Sequence, residues 1–263
     1  MSDTSAEAAI VERETRLREW FTRRCDPLQQ VVDGLDIGWG GVQRWATARI
    51  RPPTADWHLD VACGYATFLA QLGWRFPTAR LVGLNIDFDG PHRLARPLLA
   101  EAGVTAALVQ ADALRMPFAD STLASASCFL GLQDIEIGFG APGVRAAITE
   151  MVRVLRPDGV LVLLDEFPFE RFEALLDGLP VVVTDRAECP LDVRWNRQVA
   201  ERAIALYAEG WVAQARDDNP AAQEQTRAEV HRRMVAEMEH QLEAQGYYIP
   251  FGPLRLIAAQ KVR

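Results

Sequence analysis

The sequence predicts an α/β fold, a doubly wound parallel sheet with helices on both faces, and three observations predict it. The first is HLDVACGYATF, His58 to Phe68: a short apolar strand that ends in an acid and runs through a glycine-containing turn into a helix. In an open parallel sheet, ligands sit beyond the carboxyl ends of the strands where strand order reverses, so this turn reads as a nucleotide-type cofactor site. The second is the recurrence of short apolar runs and helix-periodic segments along the chain. The third is Val160 to Leu164, a continuous apolar run of the kind a central parallel strand buries on both faces.

In order along the chain, residues 1–9 are polar and small and are expected to fray, and Ile10 to Arg24 reads as a charged amphipathic helix. The segment DGLDIGWGGVQRW, Asp33 to Trp45, brings glycines and two tryptophans ahead of the first strand. That strand is Leu59 to Ala62, where Gly64 allows the sharp turn and Thr67 to Trp74 forms the helix that aims its amide end at the ligand. Leu81 to Asn85 is a second strand with Asp87 to Glu101 as its helix, and Ala106 to Gln110 is a third. A turn at Ala111 to Ala113 and a loop at Met116 to Asp120 lead to a fourth strand near Leu123 to Leu130. Val144, Ile148, Met151, Val152 and Leu155 carry the 3.6-residue period of a helix packed on the sheet. Arg156, Pro157, Asp158 and Gly159 end it with turn chemistry.

After Asp165 the chain is longer than a bare sheet needs, which argues for a built-in substrate cover. Phe167 to Asp177 is expected to be helical, Val181 to Asp185 a sixth strand, and Trp195 to Arg216 and Ala221 to Gln245 two long helices. The second helix bears Val230, Met234, Met238 and Leu242 four residues apart, a stripe read as core. Leu254 to Gln260 is the final strand.

Composition narrows the function. At 263 residues, with 49% hydrophobic residues, the chain suits one large α/β unit. A net charge of −8 argues against a nucleic-acid substrate, since neutralising phosphates calls for a basic face. No apolar run approaches membrane-spanning length and no signal-peptide pattern opens the chain, so the expectation is a cytoplasmic protein with no membrane partner. Cys25, Cys63, Cys128 and Cys189 lie far apart and read as free thiols, with no metal site. His58 and His92 read as surface or local structural residues, while His231 and His240 lie on the late helices.

Four segments in order carry a family resemblance: LDVACGYATF, VGLNID, QADALRMPFAD and ITEMVRVLRPDGVLVLLD. Spanning residues 58 to 165, they resemble the motifs of class I S-adenosylmethionine (SAM) dependent methyltransferases, of the subgroup that modifies small molecules. The resemblance implies a Rossmann-like, doubly wound, seven-stranded sheet, mostly parallel with an antiparallel last strand, plus a helical lid. It implies residues 1–57 as an N-terminal helical lid segment and 58–263 as the SAM-binding domain, with a helical substrate cover at about 190–246.

The cofactor implied is S-adenosyl-L-methionine, held by Asp60, Ala62, Gly64, Asn85, Ile86, Asp112, Ala113 and Cys128. Asp60 would anchor the amino acid end of SAM, with the backbone at Ala62 and Gly64 against its methionine portion. Asn85 stands where the family has an acid for the ribose hydroxyls; an amide both donates and accepts, so it can hold a diol. Asp112 would accept from the adenine amino group, with the Ala113 amide beside it. For Asp60 and Asp112 the alternative is strand-end or turn capping.

Two departures bear on mechanism. Ala66 replaces the third glycine of the turn, adding a methyl where the backbone approaches the cofactor. Gln133 and Asp134 stand where many small-molecule enzymes of the family carry a histidine pair that takes a proton from the acceptor, and Gln133 cannot act as a base. Methyl transfer is an in-line displacement that depends chiefly on positioning. Asp134 is the catalytic candidate, for a proton or for orienting the acceptor, against the alternative of a solvated acid. Gln133 and Trp39 are expected to touch substrate; Trp39 either covers the sulfonium by a cation-π contact or packs with Trp45. Asp33 and Asp36 are secondary candidates for polar acceptor contacts.

The expected activity is methyl transfer to an O, N or C atom of a small molecule, a secondary metabolite, by a monomer or homodimer. The alternative is a non-methyl reaction on the same fold, aminocarboxypropyl chemistry or cyclisation.

Overall fold

In the computed structural model, residues 3–24, 40–50, 56–90, 92–189, 194–215, 219–250 and 252–262 are described. Two helices, α1 (Asp3–Thr22) and α2 (Gly40–Thr47), precede the sheet. Then follow β1 (Trp57–Val61), α3 (Thr67–Arg75), β2 (Arg80–Asn85), α4 (Ala95–Ala102), β3 (Ala106–Gln110), β4 (Leu123–Phe129), α5 (Leu132–Val154) and β5 (Leu155–Asp165). The chain ends with α6 (Phe169–Leu176), β6 (Val181–Cys189), α7 (Arg197–Ala215), α8 (Pro220–Gln245) and β7 (Leu254–Lys261).

The strands form one seven-stranded sheet in the order β3-β2-β1-β4-β5-β7-β6. The first five run parallel, and β7 inserts antiparallel between β5 and β6. Strand order reverses between β1 and β4, which puts the crevice for a ligand beside the turn that follows β1. Each face has its own core. Val144, Ile148 and Met151 of α5 and Phe172 of α6 cover one, and Val42 of α2, Leu69 and Leu72 of α3 and Leu99 of α4 cover the other.

Several expectations are corrected by side-chain contacts that periodicity does not show. The segment from Asp87 is not helical until Ala95, because Asp87 Oδ1 accepts from the Asp89 and Gly90 amides at 2.7 and 2.9 Å and holds a turn. His92 therefore lies in that turn and not in a helix. Residues 3–9 belong to α1 instead of fraying, because Glu7 pairs with Arg75 at 2.7 Å and Ile10 packs against Trp74 and Leu98. The 156–159 turn lies within β5 as an irregularity: Leu123 pairs with Leu155, and pairing resumes at Ser125 with Val160. A Cβ on Gly159 would stand 2.8 Å from the Arg156 carbonyl, so the turn needs glycine there. β6 continues to Cys189, beyond the expected end at Asp185, because it pairs with β7 as far as Leu254.

Helix α5 is two helices joined at Gly140, whose φ of 68° and ψ of −177° suit glycine alone, with Pro142 just beyond. Its end is held from across the sheet: Lys261 Nζ donates to the carbonyls of Val152 and Leu155 at 2.8 and 2.6 Å. Helices α7 and α8 pack as a pair around Ala203, Ile204, Met234, Met238 and Leu242, so the stripe on α8 is core.

Candidate active site

The turn after β1 is built from left-handed residues. Ala62, Gly64 and Ala66 have φ of 55°, 50° and 65°, and the Ala66 amide closes on the Cys63 carbonyl at 2.7 Å. Alternation of this kind makes a concave row of amides suited to an anionic group. Helix α3 starts at its end without a side-chain cap, which leaves its first amides available to a ligand. The methyl of Ala66 does not face the crevice, contrary to expectation: it is fully buried in the core with Phe68 and Leu69. The crevice side is kept narrow by Gly131, where a Cβ would stand 2.5 Å from that of Ala62.

Parallel pairing brings most of the expected site residues to one edge of the sheet. Val61 pairs with both Leu84 and Cys128, and Asn85 pairs with Gln110, two residues before Asp112. Asp60 is buried at the end of β1; Ser127 Oγ donates to its Oδ1 at 2.7 Å, and its Oδ2 has no partner among the described residues. Burial pushes the Asp60 carboxyl up to about 7, against the hydrogen bond from Ser127.

Asn85 is buried at the end of β2, where its Oδ1 accepts from the Ile86 amide at 3.0 Å. Its Nδ2 donates to the Asp87 carbonyl at 3.2 Å and to His92 Nδ1 at 2.9 Å. Burial lowers the His92 pKa, which suits this acceptor role. Ile86 is 42% exposed, an apolar side chain at the crevice edge. Asp112 accepts from the Leu114 amide at 2.9 Å through Oδ1, and Ala113 is buried beside it. Their loop is tied down by Arg153, which donates to the Met116 and Phe118 carbonyls at 3.1 and 2.9 Å, and by Glu150, which accepts from the Met116 amide at 2.8 Å.

At the end of β4 the Cys128 thiol is 1% exposed and packs in the core, so its side chain lines no open surface. Gln133 and the exposed Asp134 lie in the first turn of α5. Asp165, at the end of β5, accepts from the amides of Leu132, Gln133 and Glu166 at 3.0, 3.2 and 2.8 Å and fixes where α5 begins. Trp39, Asp33 and Asp36 lie outside the described residues. Sequence reasoning missed Asp165 as a positioning group, and of the two readings of His58, surface or local structural, burial inside β1 excludes the first. The signal was present: His58 and Asp60 alternate on β1 as Ser125 and Ser127 do on β4, and the strands pair residue for residue there.

Residues 59–159 match the family model described as a methyltransferase domain. That stretch is similar to the SAM-dependent methyltransferases. The demethylmenaquinone methyltransferase of Deinococcus radiodurans is 32% identical over 146 residues, 55% of this chain and 56% of that protein. That of Roseiflexus castenholzii is 33% identical over 134 residues, half of each chain, so this chain spans about half the length of the curated relatives it matches. Among solved structures, the [4+2]-cyclase SpnF superposes with a TM-score of 0.56 at 15% identity, covering 84% of this chain and 81% of that one. The superposition shows a shared fold.

The cofactor of the methyltransferase domain is SAM, and the residues present fit it. A buried carboxylate oxygen of Asp60 without a protein partner among the described residues, a left-handed turn and an exposed Ile86 would suit an amino acid and an adenosine. Among the described residues no cluster suits a metal ion, and no helix is long and apolar enough to cross a membrane.

Proposed function

We propose that this protein is a methyltransferase that moves a methyl group from SAM to an O, N or C atom of a small molecule, a secondary metabolite. The observation that carries the reading is the convergence of Asp60, the left-handed turn, Asn85 and Asp112 on the crevice between β1 and β4. When bound, SAM supplies an electrophilic methyl on a sulfonium.

The chain's own residues hold and orient. Asp60 Oδ2 takes the cofactor's ammonium, the backbone at Ala62 and Gly64 lies against its methionine portion, Asn85 Oδ1 accepts from a ribose hydroxyl, its Nδ2 being held by Asp87 and His92, and Asp112 accepts from the adenine amino group. Asp165 holds the start of α5 so that Gln133 and Asp134 stand at the acceptor side. Holding nucleophile, methyl and sulfur in line supplies about 7 to 11 kcal/mol of barrier reduction. Asp134 takes the proton of an acceptor that must lose one, or orients it.

Room for the acceptor lies along the same edge of the sheet. A cleft of about 830 Å³ opens between α8 and the facing ends of β6 and β7, lined by Cys189, His240, Gln241, Tyr248 and Pro253 among others. Its size suits a small organic molecule. Glu166, next to the α5-positioning Asp165, borders it through its bond from the Gly252 amide at 3.2 Å.

The test is incubation with SAM and a panel of phenols, hydroquinones, amines and sugars, with product analysis. Methyl transfer releases S-adenosylhomocysteine together with a methylated acceptor; no such product from any acceptor would overturn the reading. Gln133, which cannot serve as a base, favours a second reading, cyclisation or aminocarboxypropyl chemistry. Aminocarboxypropyl transfer releases methylthioadenosine, and cyclisation releases neither nucleoside.

A further inference from the structure

A directed chain of hydrogen bonds runs through the buried strands beneath the cofactor turn. Ser127 Oγ spends its single proton on Asp60 Oδ1 at 2.7 Å, so it must accept from the ring it touches, His58 Nε2, at 2.9 Å. With the ring proton on Nε2, Nδ1 is the acceptor, and Ser125 Oγ donates to it at 2.8 Å. One imidazole tautomer and two hydroxyl orientations are thereby fixed, and the ring stays neutral. All four residues are buried. Nothing in this chain of bonds reaches Asp60 Oδ2, which is left for a ligand.

We propose that His58 is a positioning residue for the cofactor: through Ser127 it locks the Asp60 carboxylate so that Oδ2 faces the amino acid end of SAM. The inference rests on the cofactor site proposed above. A leucine at position 58 frees the Ser127 hydroxyl to turn away and the Asp60 carboxyl to rotate. The loss then falls on the part of the ligand that Asp60 meets and spares the adenosine.

The experiment is calorimetric titration with two nucleosides that share adenosine and differ in the amino acid end: S-adenosylhomocysteine, which carries it, and methylthioadenosine, which lacks it. His58→Leu is expected to weaken S-adenosylhomocysteine about tenfold, the scale of one hydrogen bond to a charged group, and to leave methylthioadenosine within about twofold. His58→Gln, whose amide nitrogen can stand in for Nε2 as donor to Ser127, restores the native affinity. Should His58→Leu fail to fold, Ser127→Ala breaks the same chain at a hydroxyl and carries the same expectation. Equal weakening of both nucleosides, or no weakening of either, would overturn the role of His58. Failure of the native protein to bind S-adenosylhomocysteine would overturn the cofactor site itself, a separate outcome.

Discussion

At the scale of single residues, the site depends on groups held in unusual states by burial. His58 has its pKa lowered from 6.5 to about 4 by desolvation, so the folded protein holds it neutral while the unfolded chain protonates it below 6.5. Its contribution to stability is therefore present above about pH 6.5 and is lost as pH falls through about 4. On that linkage His58→Gln, which does not titrate, should gain melting temperature relative to the native chain as pH is lowered across this window. A constant difference between the two across it would contradict a neutral buried His58. Asp60 has the opposite sign, since its raised pKa makes its contribution fall as pH rises through about 7. The alternation of these residues shows in the sequence, but the burial that shifts them does not. A histidine one residue past an exposed Trp57 reads as a strand-entry surface residue, and only pairing with Ser125 and Ser127 across β4 gives its ring partners. Asp60, Asn85 and Asp112, proposed above to meet the cofactor, stand out in the sequence because each lies at or just past the carboxyl end of an apolar strand.

At the scale of elements, strands were easier to read than helices. Parallel strands buried on both faces are short apolar runs, and β1 and β2 fall within a residue or two of the runs that predict them, as does the half-exposed edge strand β3. Helix ends depend on side chains that reach them, such as Asp87 before α4, Asp165 at the start of α5 and Lys261 at its end, and these partners lie in the next turn or far along the chain. Two expectations belong here. Asp165→Ala leaves the Leu132, Gln133 and Glu166 amides without their shared acceptor and should cost about 3 kcal/mol in chemical denaturation. A change under about 1 kcal/mol would show that α5 is held in place by packing alone. Gly140→Ala forces a side chain into a backbone conformation reserved for glycine and should cost about 1 to 3 kcal/mol by the same measurement. A neutral result would mean the two halves of α5 can rejoin without the kink.

At the scale of the whole molecule, the first helix packs against the turn that follows β1. Helix α1 brings Phe21 edge-to-face onto Tyr65 of the cofactor turn at 5.1 Å, and Glu14 of α1 accepts from Gln71 of α3 at 3.0 Å. Insertion of β7 between β5 and β6 sets Arg255, at the start of β7, opposite Asp165. The antiparallel last strand was expected, and the sheet bears it out; which face helices α7 and α8 bury against each other is set by tertiary packing that periodicity alone does not encode. A ligand that binds only the folded state stabilises it by mass action, so S-adenosylhomocysteine at about 100 times its dissociation constant should add about 2.7 kcal/mol. For a chain of this size that is a rise of roughly 5 to 10 °C in melting temperature. The measurement that tests the central claim most directly is calorimetric titration of the native protein and of Asp112→Ala with S-adenosylhomocysteine. The account predicts one-to-one binding by the native chain that is weakened at least about tenfold in the variant. Absence of binding by the native chain, or equal binding by both, would contradict the placement of the cofactor on this edge of the sheet.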